Sequence, residues 1–516
     1  MFNIFLIMAL MGIISSALGS EYRYPISKQK TLIKRKADNS SKTSDIYTIE
    51  FEVGSKQQKI NAVMDTSSSD FWILGNNSCE LYLETLKGTK SLNKTLNNTI
   101  MDICKSGTFN PIDSTTFKKI YLDNVFYAKS ARDYSFAAGF WGADNINVGD
   151  VTLENATFGV ASIANTTSRC GLGFRNFESS NTNFELTKNR TLNISGVEVN
   201  KNTTKAFEYD NFPYLLKAQK IIKRVAYSLF LNTETKNGSS ILFGAVDKSQ
   251  FSGKLTTVPI LRNSSFNFIN KTKVDNFVIS ILGVGYVNEK GKGTTFNTQT
   301  QAALIDTSYS GVTLPREIAE GIASMFNATF NKDTDNFKLK CPSSNTSEHN
   351  SFVFNIGGVN FFTKFSEFIT ESDENGHCLL DITFNKDNST ILGNAFLKSL
   401  YVLFDLESYE MSFGQANLDS KPKSIVTLPA TGTTFAEATK AHKYSSIWTS
   451  SPKSYTSGGN LFHNSKTVSN PYLTTTQKTT STKANKDRQE DNTSKSKNSA
   501  TILSIGLMKI LLSVLI

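Results

Sequence analysis

The chain has 516 residues, with 55 Lys and Arg against 45 Asp and Glu, and a formal net charge of +10. This length allows more than one domain, and 39% hydrophobic residues with 37 Phe supply a large core. The Lys residues are dispersed among Asn and Thr, which indicates a solvated basic surface and argues against nucleic acid as a partner. With four His and no Cys/His cluster at metal-ligand spacing, we expect neither a metal nor another cofactor.

The first residues are typical of a secreted protein. Residues 1–19 contain an apolar run that ends in small residues around Ala17 and Gly19, which predicts a signal peptide although no basic residue precedes the run. A buried N-terminal helix is the alternative. Residues 20–43 follow as a short basic segment with the pair Lys34-Arg35. We interpret it as a pro-segment removed at that pair, with an ordinary charged loop as the alternative.

Glycosylation sites and cysteines fit an oxidising compartment. Many Asn-x-Ser/Thr sequons occur, including Asn93, Asn155, Asn165, Asn193, Asn202, Asn263, Asn270, Asn327 and Asn388. Five Cys allow two disulfides. Proximity in the sequence pairs Cys79 with Cys104, across a stretch expected to be a loop, and Cys341 with Cys378. Cys170 is left as a buried free thiol.

From about residue 44 to residue 415 the pattern is that of short β-strands. Residues 47–53 alternate between apolar and polar side chains, and Gly54-Ser55 predicts a turn before a second strand at 60–64. Helices are predicted only at 214–226 and 315–325. The fold class is therefore all-β (mostly), with antiparallel strands.

One phrase occurs twice. An apolar run ends in Asp65-Thr66-Ser67, and a second ends in Asp306-Thr307-Ser308. Either phrase alone indicates only a strand followed by a turn. Together they predict two lobes, 44–250 and 251–418, that each contribute one Asp to a shared site. Two close carboxylates share one proton, so that one acts as base and the other as acid.

The C-terminal part changes composition. Residues 419–500 are rich in Ser, Thr, Lys and Asn, which predicts a disordered, O-glycosylated stalk. Residues 501–516 are apolar but short for a membrane span. Because small residues precede this tail, we interpret it as a glycolipid (GPI) attachment signal, with a tail-anchored helix as the alternative.

Between residues 47 and 416 the chain resembles the pepsin-like aspartic endopeptidases, and most closely the GPI-anchored fungal yapsins. Besides the two Asp phrases and Asp70-Phe71-Trp72, the resemblance is carried by residues 109–117, 209–217, 226–231, 240–247, 390–396 and 402–405. It implies a bilobal pepsin-like fold with two β-rich lobes and a central cleft. It also implies that Trp72 packs behind the first loop, and it agrees with the pairing of Cys341 and Cys378.

The resemblance implies a role for each residue of the repeated phrase. Asp65 and Asp306 would hold the attacking water between them. Thr66 and Thr307 would join the two loops by hydrogen bonds, and Ser68 would donate a hydrogen bond to Asp65 from outside.

Several positions depart from the pattern of this family. Ser67 and Ser308 replace the Gly that usually follows Asp-Thr, which implies altered packing of the two loops. Tyr309 stands where a small hydroxyl residue is usual. Arg169 replaces the first of two apolar residues before Gly171.

The flap of the family has no clear counterpart. Counting back from Gly139, the usual flap Tyr falls on Ala131, so Tyr127 and Tyr134 are the candidates to replace it. The Gly-rich flap tip is also absent.

These observations predict a secreted, monomeric aspartic endopeptidase at the plasma membrane or cell wall, held by a GPI anchor. The resemblance implies polypeptide substrates cleaved at basic residues. The alternative is a non-catalytic pepsin-fold surface protein that binds peptides or has a structural role in the wall. Retention of both Asp and both Thr favours the enzyme.

Overall fold

A computed structural model describes residues 22–34, 41–87, 94–130, 135–182, 191–194, 197–200, 206–231, 238–262, 274–332, 336–370, 373, 375–418, 424–442, 444–446, 454–463, 465 and 467–472. They belong to one compact unit, Met1–Tyr472. The predicted signal peptide, Arg35 and the apolar tail lie outside the described residues. Of the helices in the described ranges, none combines the length and apolar character needed to cross a membrane.

The strands of the described residues, numbered in chain order, are β1 (Tyr22–Pro25), β2 (Ser27–Lys34), β3 (Ser41–Val53), β4 (Gln58–Asp65), β5 (Phe71–Leu74), β6 (Lys118–Lys119), β7 (Val125–Lys129), β8 (Phe136–Val148), β9 (Val151–Ala164), β10 (Arg169–Gly171), β11 (Thr191–Ile194), β12 (Val197–Asn200), β13 (Ala226–Phe230), β14 (Ser240–Phe243), β15 (Ala245–Asp247), β16 (Phe251–Pro259), β17 (Val278–Val287), β18 (Gly293–Asn297), β19 (Gln301–Ile305), β20 (Val312–Thr313), β21 (Thr329–Asn331), β22 (Asn336–Lys340), β23 (Ser351–Ile356), β24 (Val359–Lys364), β25 (His377–Leu380), β26 (Ile382–Thr383), β27 (Thr390–Leu392), β28 (Leu400–Asp405), β29 (Glu410–Ala416), β30 (Ile425–Thr427) and β31 (Thr439–Lys440). The α-helices are α1 (Ser78–Leu86), α2 (Lys94–Cys104), α3 (Ser179–Thr182), α4 (Phe212–Ala218), α5 (Arg316–Met325), α6 (Ser344–His349) and α7 (Asn394–Leu397).

The first lobe is built on a nine-stranded sheet in the order β2-β3-β4-β10-β5-β9-β8-β6, with β7 paired to β8. Its central strands form because apolar side chains alternate with polar ones. In β3 the side chains of Tyr47, Ile49, Phe51 and Val53 are all fully buried, as the period of two predicts. Gly54 then turns the chain into β4 with φ +76°, a conformation that favours Gly.

The second lobe repeats this plan on an eight-stranded sheet in the order β24-β23-β17-β19-β27-β20-β26, with β18 paired to β17. A third sheet, of seven strands in the order β1-β14-β13-β28-β29-β16-β31, takes strands from both halves of the chain. The predicted class, mostly β with two β-rich lobes, is confirmed. Part of the predicted pro-segment is included in this architecture, since β1 pairs with β14 and β2 with β3.

The helix predictions are right in one case and too long in the other. Helix α5 begins after Pro315 and buries Ile318 and Ile322, close to the predicted 315–325. The helix predicted at 214–226 is wrong in extent, because α4 ends at Ala218. Lys220 takes a positive φ of 62° that ends the helix, and β13 already begins at Ala226.

Both predicted disulfides are present, Cys79–Cys104 and Cys341–Cys378, and Cys170 is a buried free thiol. The stretch between the first pair is not only a loop as predicted. It forms α1 and α2, which the disulfide joins because Cys79 lies near the start of one helix and Cys104 ends the other.

The disordered stalk predicted from residue 419 is wrong for much of the stretch up to Tyr472. Strand β30 pairs with β15, and β31 pairs with β16. Leu461 and Phe462 are buried against β17 and β18 at Gly285 and Gly293, where a Cβ atom would lie within 3.0 Å of these side chains. Scattered apolar residues therefore suffice to attach this polar segment to the second lobe. The rest of the predicted stalk lies outside the described residues.

A buried ion pair connects the seven-stranded sheet, in which Asp405 ends β28, to this C-terminal segment. Arg224 Nη2 lies 2.8 Å from Asp405 Oδ2, and the two side chains are 3% and 1% exposed. Arg224 Nη1 also donates to the carbonyl oxygens of Pro429 at 3.4 Å and Gly432 at 3.2 Å.

We predict that Arg224→Met lowers the free energy of unfolding by about 3–5 kcal/mol, because Asp405 would remain buried without its counter-ion. The matched control is Arg316→Met, which removes an exposed pair with Glu320 and should cost less than about 1 kcal/mol. Denaturant unfolding of both variants measures the difference. Equal losses would contradict the structural importance of the buried pair.

Candidate active site

The two repeated phrases end equivalent strands. Asp65 is the last residue of β4, which runs parallel to β10, and Asp306 directly follows β19, which runs parallel to β27. Behind each Asp a Gly lets two backbones touch. A Cβ on Gly171 would lie 2.5 Å from Asp70 N, and one on Gly393 would lie 2.3 Å from the Tyr309 carbonyl oxygen. Each carboxylate therefore has the same surroundings: the strand that leads to it, a parallel neighbouring strand, and a Gly at the end of that neighbour.

Reciprocal hydrogen bonds join the two loops. The backbone N–H of Thr66 donates to Thr307 Oγ1 at 3.1 Å, and the N–H of Thr307 donates to Thr66 Oγ1 at 3.1 Å. The Thr66 hydroxyl donates to the Ile305 carbonyl at 2.9 Å, and the Thr307 hydroxyl donates to the Met64 carbonyl at 2.8 Å. These four bonds hold the two loops together at Thr66 and Thr307, each of which directly follows one of the two Asp residues.

Each carboxylate accepts the same pair of donors from its own loop. Asp65 Oδ1 accepts from the N–H and the hydroxyl of Ser67, both at 2.8 Å. Asp306 Oδ1 accepts from the N–H of Ser308 at 2.9 Å and its hydroxyl at 2.7 Å. The hydrogen bond predicted from Ser68 is made instead by the Ser67 hydroxyl, whereas the Ser68 hydroxyl is buried without a hydrogen-bond partner among the described residues.

The first carboxylate has a further partner that was not predicted. Arg169 Nη1 lies 2.6 Å from Asp65 Oδ2, and the two side chains are 14% and 1% exposed. Burial alone would raise the pKa of Asp65. The charge of Arg169, with the hydrogen bonds from Arg169 and Ser67, nevertheless brings the pKa of Asp65 below its usual value. The sequence marks Arg169 as unusual, but it does not reveal this contact.

A second acidic cluster lies behind the first loop. Asp70 Oδ1 accepts from the Tyr209 hydroxyl at 2.9 Å, and Asp70 Oδ2 from the N–H of Ser179 at 2.8 Å. Glu178 accepts from the N–H of Tyr209 at 3.0 Å. Burial raises the pKa of Asp70 to about 6, and burial together with the charge of Asp70 raises that of Glu178 to about 10. Sequence reasoning missed this cluster, because Glu178 is distant from Asp70 in the chain.

The remaining predicted residues lie nearby. Trp72 is buried and packs against Phe126 in the core behind the loop. The Tyr309 hydroxyl makes a hydrogen bond of 3.0 Å with Thr383 Oγ1. Another residue that sequence reasoning missed is Asn394, whose Nδ2 donates to the Thr307 carbonyl at 3.1 Å.

Of the two flap candidates, one can be located. Strands β7 and β8 form an antiparallel hairpin in which Tyr127 pairs with Ala138. The Tyr127 side chain is half-buried beside a cluster that also includes Leu81 and Tyr82. Tyr134 and Ala131 lie outside the described residues.

Comparison with known proteins identifies the family. Residues 46–416 match the family model described as eukaryotic aspartyl protease. The chain belongs to this family. It is therefore an aspartic proteinase, a hydrolase whose substrates are polypeptides.

Among its relatives, aspartic proteinase yapsin-3 of Saccharomyces cerevisiae is 31% identical over 81% of this chain and 74% of the relative. Aspartic proteinase MKC7 of the same yeast is 28% identical over 84% of this chain and 75% of the relative. The aspartic proteinase of Irpex lacteus has the same fold, with a TM-score of 0.52 and 16% identity over 77% of this chain and 98% of that one. Relatives of this kind suggest a secreted or cell-surface location.

The buried acids predict how the stability of this aspartic proteinase depends on pH. A carboxyl group whose pKa is raised by folding stabilises the native state at low pH. That contribution is progressively lost as the pH rises above the pKa of the group in the unfolded chain, which is about 4. Wild-type stability should therefore fall between pH 5 and 8, at up to about 1.4 kcal/mol per pH unit for Glu178.

Glu178→Gln, which cannot ionise, should make this decline shallower. Thermal unfolding at several pH values measures it, with the exposed Glu320→Gln as control. A decline in Glu178→Gln parallel to that of the wild type would show that Glu178 does not carry this dependence.

Proposed function

We propose that this protein is a secreted aspartic endopeptidase of the cell surface, in which Asp65 and Asp306 activate a water molecule to hydrolyse peptide bonds. The observation that carries the proposal is the set of four bonds between Thr66 and Thr307, which joins two loops from distant parts of the chain. A site that kept only a structural role would not require two buried carboxylates at the ends of equivalent strands, since burying them is costly.

The chemistry needs one proton shared by the two carboxyl groups. The ionised member accepts a proton from the water, and the water oxygen bonds to the scissile carbonyl carbon. The neutral member donates its proton to the carbonyl oxygen as the C=O double bond opens. The carboxyl group that took the proton of the water then protonates the leaving nitrogen, and the C–N bond breaks. The other carboxylate takes a hydroxyl proton as the C=O bond re-forms, which restores the shared proton. No covalent intermediate with the protein forms, because water is the nucleophile.

The substrate preference and the location are further parts of the proposal. The resemblance to yapsins supports cleavage at basic residues of surface or wall proteins. Two observations favour the non-catalytic alternative: Arg169 binds the Asp65 carboxylate directly, and Ala131 stands at the position of the usual flap Tyr.

We predict that Asp65→Asn and Asp306→Asn each remove nearly all cleavage, because both proton-transfer roles are required together. The wild-type ectodomain should show a bell-shaped pH profile with an acidic optimum and inhibition by pepstatin. The assay uses matched peptides with Lys or Leu before the scissile bond, which also measures the basic preference. Circular dichroism of each variant controls for folding. A folded wild type that cleaves no peptide between about pH 3 and 7 would favour the non-catalytic alternative.

The anchor leads to a separate prediction. If the tail at 501–516 is a GPI signal, phospholipase treatment of intact cells should release the protein, and the mature chain should lack Leu511-Leu512. Mass spectrometry of the released C-terminal peptide measures this. A mature chain that retains Leu511-Leu512 would instead support a tail-anchored helix.

A further inference from the structure

The ion pair of Arg169 and Asp65 lies inside the catalytic machinery. Arg169 begins β10, where its backbone pairs with Val63 of β4 and Trp72 of β5. From this position its guanidinium reaches Asp65 Oδ2 at 2.6 Å, while Ser67 occupies Oδ1. Both charges are largely removed from water, and a charge-assisted hydrogen bond of this length is strong. The β10 backbone is fixed between two buried strands, and the hydrogen bond to Asp65 fixes the guanidinium at the other end of the side chain.

The second lobe offers an internal comparison. Arg169 pairs with Val63, two residues before Asp65, and Ile391 pairs with Leu304, two residues before Asp306. Arg169 and Ile391 therefore stand at equivalent register positions beside the two catalytic strands. Ile391 packs in an apolar cluster with Val278 and Leu304. The loops donate the same hydrogen bonds to both carboxylates, but the adjacent strand adds a cation only in the first lobe.

Other titratable groups near Asp65 do not offset this charge. Burial raises the pKa of the Cys170 thiol well above its usual value, and the nearby Asp65 adds to this effect. Burial does the same for Tyr227, with further contributions from Cys170 and Asp65. Both groups are neutral at any pH at which the enzyme is expected to work. Arg169, Asp65 and Asp306 are then the charged or proton-sharing groups that decide the electrostatics of the pair.

We propose that Arg169 is a positioning residue that keeps Asp65 as the ionised member of the pair and leaves the shared proton on Asp306. This inference rests on the proposed function and goes further, because it assigns the two roles. Asp65 is the base that takes the proton of the water, and Asp306 is the acid that protonates the carbonyl oxygen. Activity should end in acid when the pair gains a second proton, and it should end at higher pH when the pair loses its shared proton.

The charge of Arg169 acts in the same direction on both limits. The positive charge favours each loss of a proton from the carboxyl pair, because each loss leaves the pair more negative. Both limbs of the pH profile therefore lie at lower pH than they would without Arg169. Removing the charge should move both limbs to higher pH. The acid limb should move more, since the guanidinium touches Asp65.

The test compares kcat/KM against pH for the wild-type ectodomain, Arg169→Ile and Arg169→Lys. Arg169→Ile installs the side chain found at the equivalent position of the second lobe. It should move the acid limb up by about one to three pH units. Arg169→Lys keeps the charge and should stay close to the wild-type profile. Arg316→Met, which removes an exposed Arg whose ion-pair partner is the exposed Glu320, is the matched control and should leave the profile unchanged.

Each outcome decides the assignment. A folded Arg169→Ile with a pH profile that overlays the wild type would overturn it, as would an equal displacement in Arg169→Lys, because then the charge would not matter. Cleavage by Arg169→Ile alone, with an inactive wild type, would also overturn it by making Arg169 a blocking group. If Arg169→Ile does not fold, Arg169→Gln is measured in the same way and should shift the acid limb in the same direction. Absence of cleavage in the wild type and every variant would refute the proposed function itself.

Discussion

The structure depends on the placement of two carboxylates that are both almost completely buried. Asp65 and Asp306 are each 1% exposed, and an ionised carboxylate in such a position is costly unless donors surround it. The donors come from Ser67 and Ser308, two residues after each Asp, in the turn that follows a buried strand. The threonine bonds then require the two sheets to meet at these loops. The architecture of two lobes is thus tied to the chemistry of one site.

Much of this fold could be predicted because its signals are local. Alternation in residues 47–53, Pro315 before α5, and two short-range Cys pairs each specify structure within a small window. The failures arise where tertiary contacts override such signals. An apolar pattern continues past Ala218, but a turn at Lys220 redirects the chain toward β13 of the seven-stranded sheet. Likewise, composition predicts disorder after residue 419, whereas Leu461 and Phe462 pack on the second lobe and β30 pairs with β15.

The candidate site shows the same division between local and distant information. The repeated phrase reveals both Asp residues and their threonine and serine neighbours, since the loop bonds within each phrase span only two residues. The sequence also shows that Arg169 is unusual. It cannot show which carboxylate Arg169 meets, because that depends on the parallel register that sets Arg169 opposite Val63. Glu178 and Asp70 were missed for the same reason, since they are connected through Tyr209, whose N–H donates to Glu178 and whose hydroxyl donates to Asp70.

Two identical acids can divide the work of base and acid only if their surroundings differ or the substrate makes them differ. The loops cannot supply the difference here, because Ser67 and Ser308 donate in matching geometry. The strand beside each loop can, since it carries Arg169 in one lobe and Ile391 in the other. On the proposed assignment this charge has a cost. A carboxylate whose pKa is lowered is a weaker base, so Arg169 exchanges some basicity of Asp65 for a fixed location of the proton and an active state that persists in stronger acid.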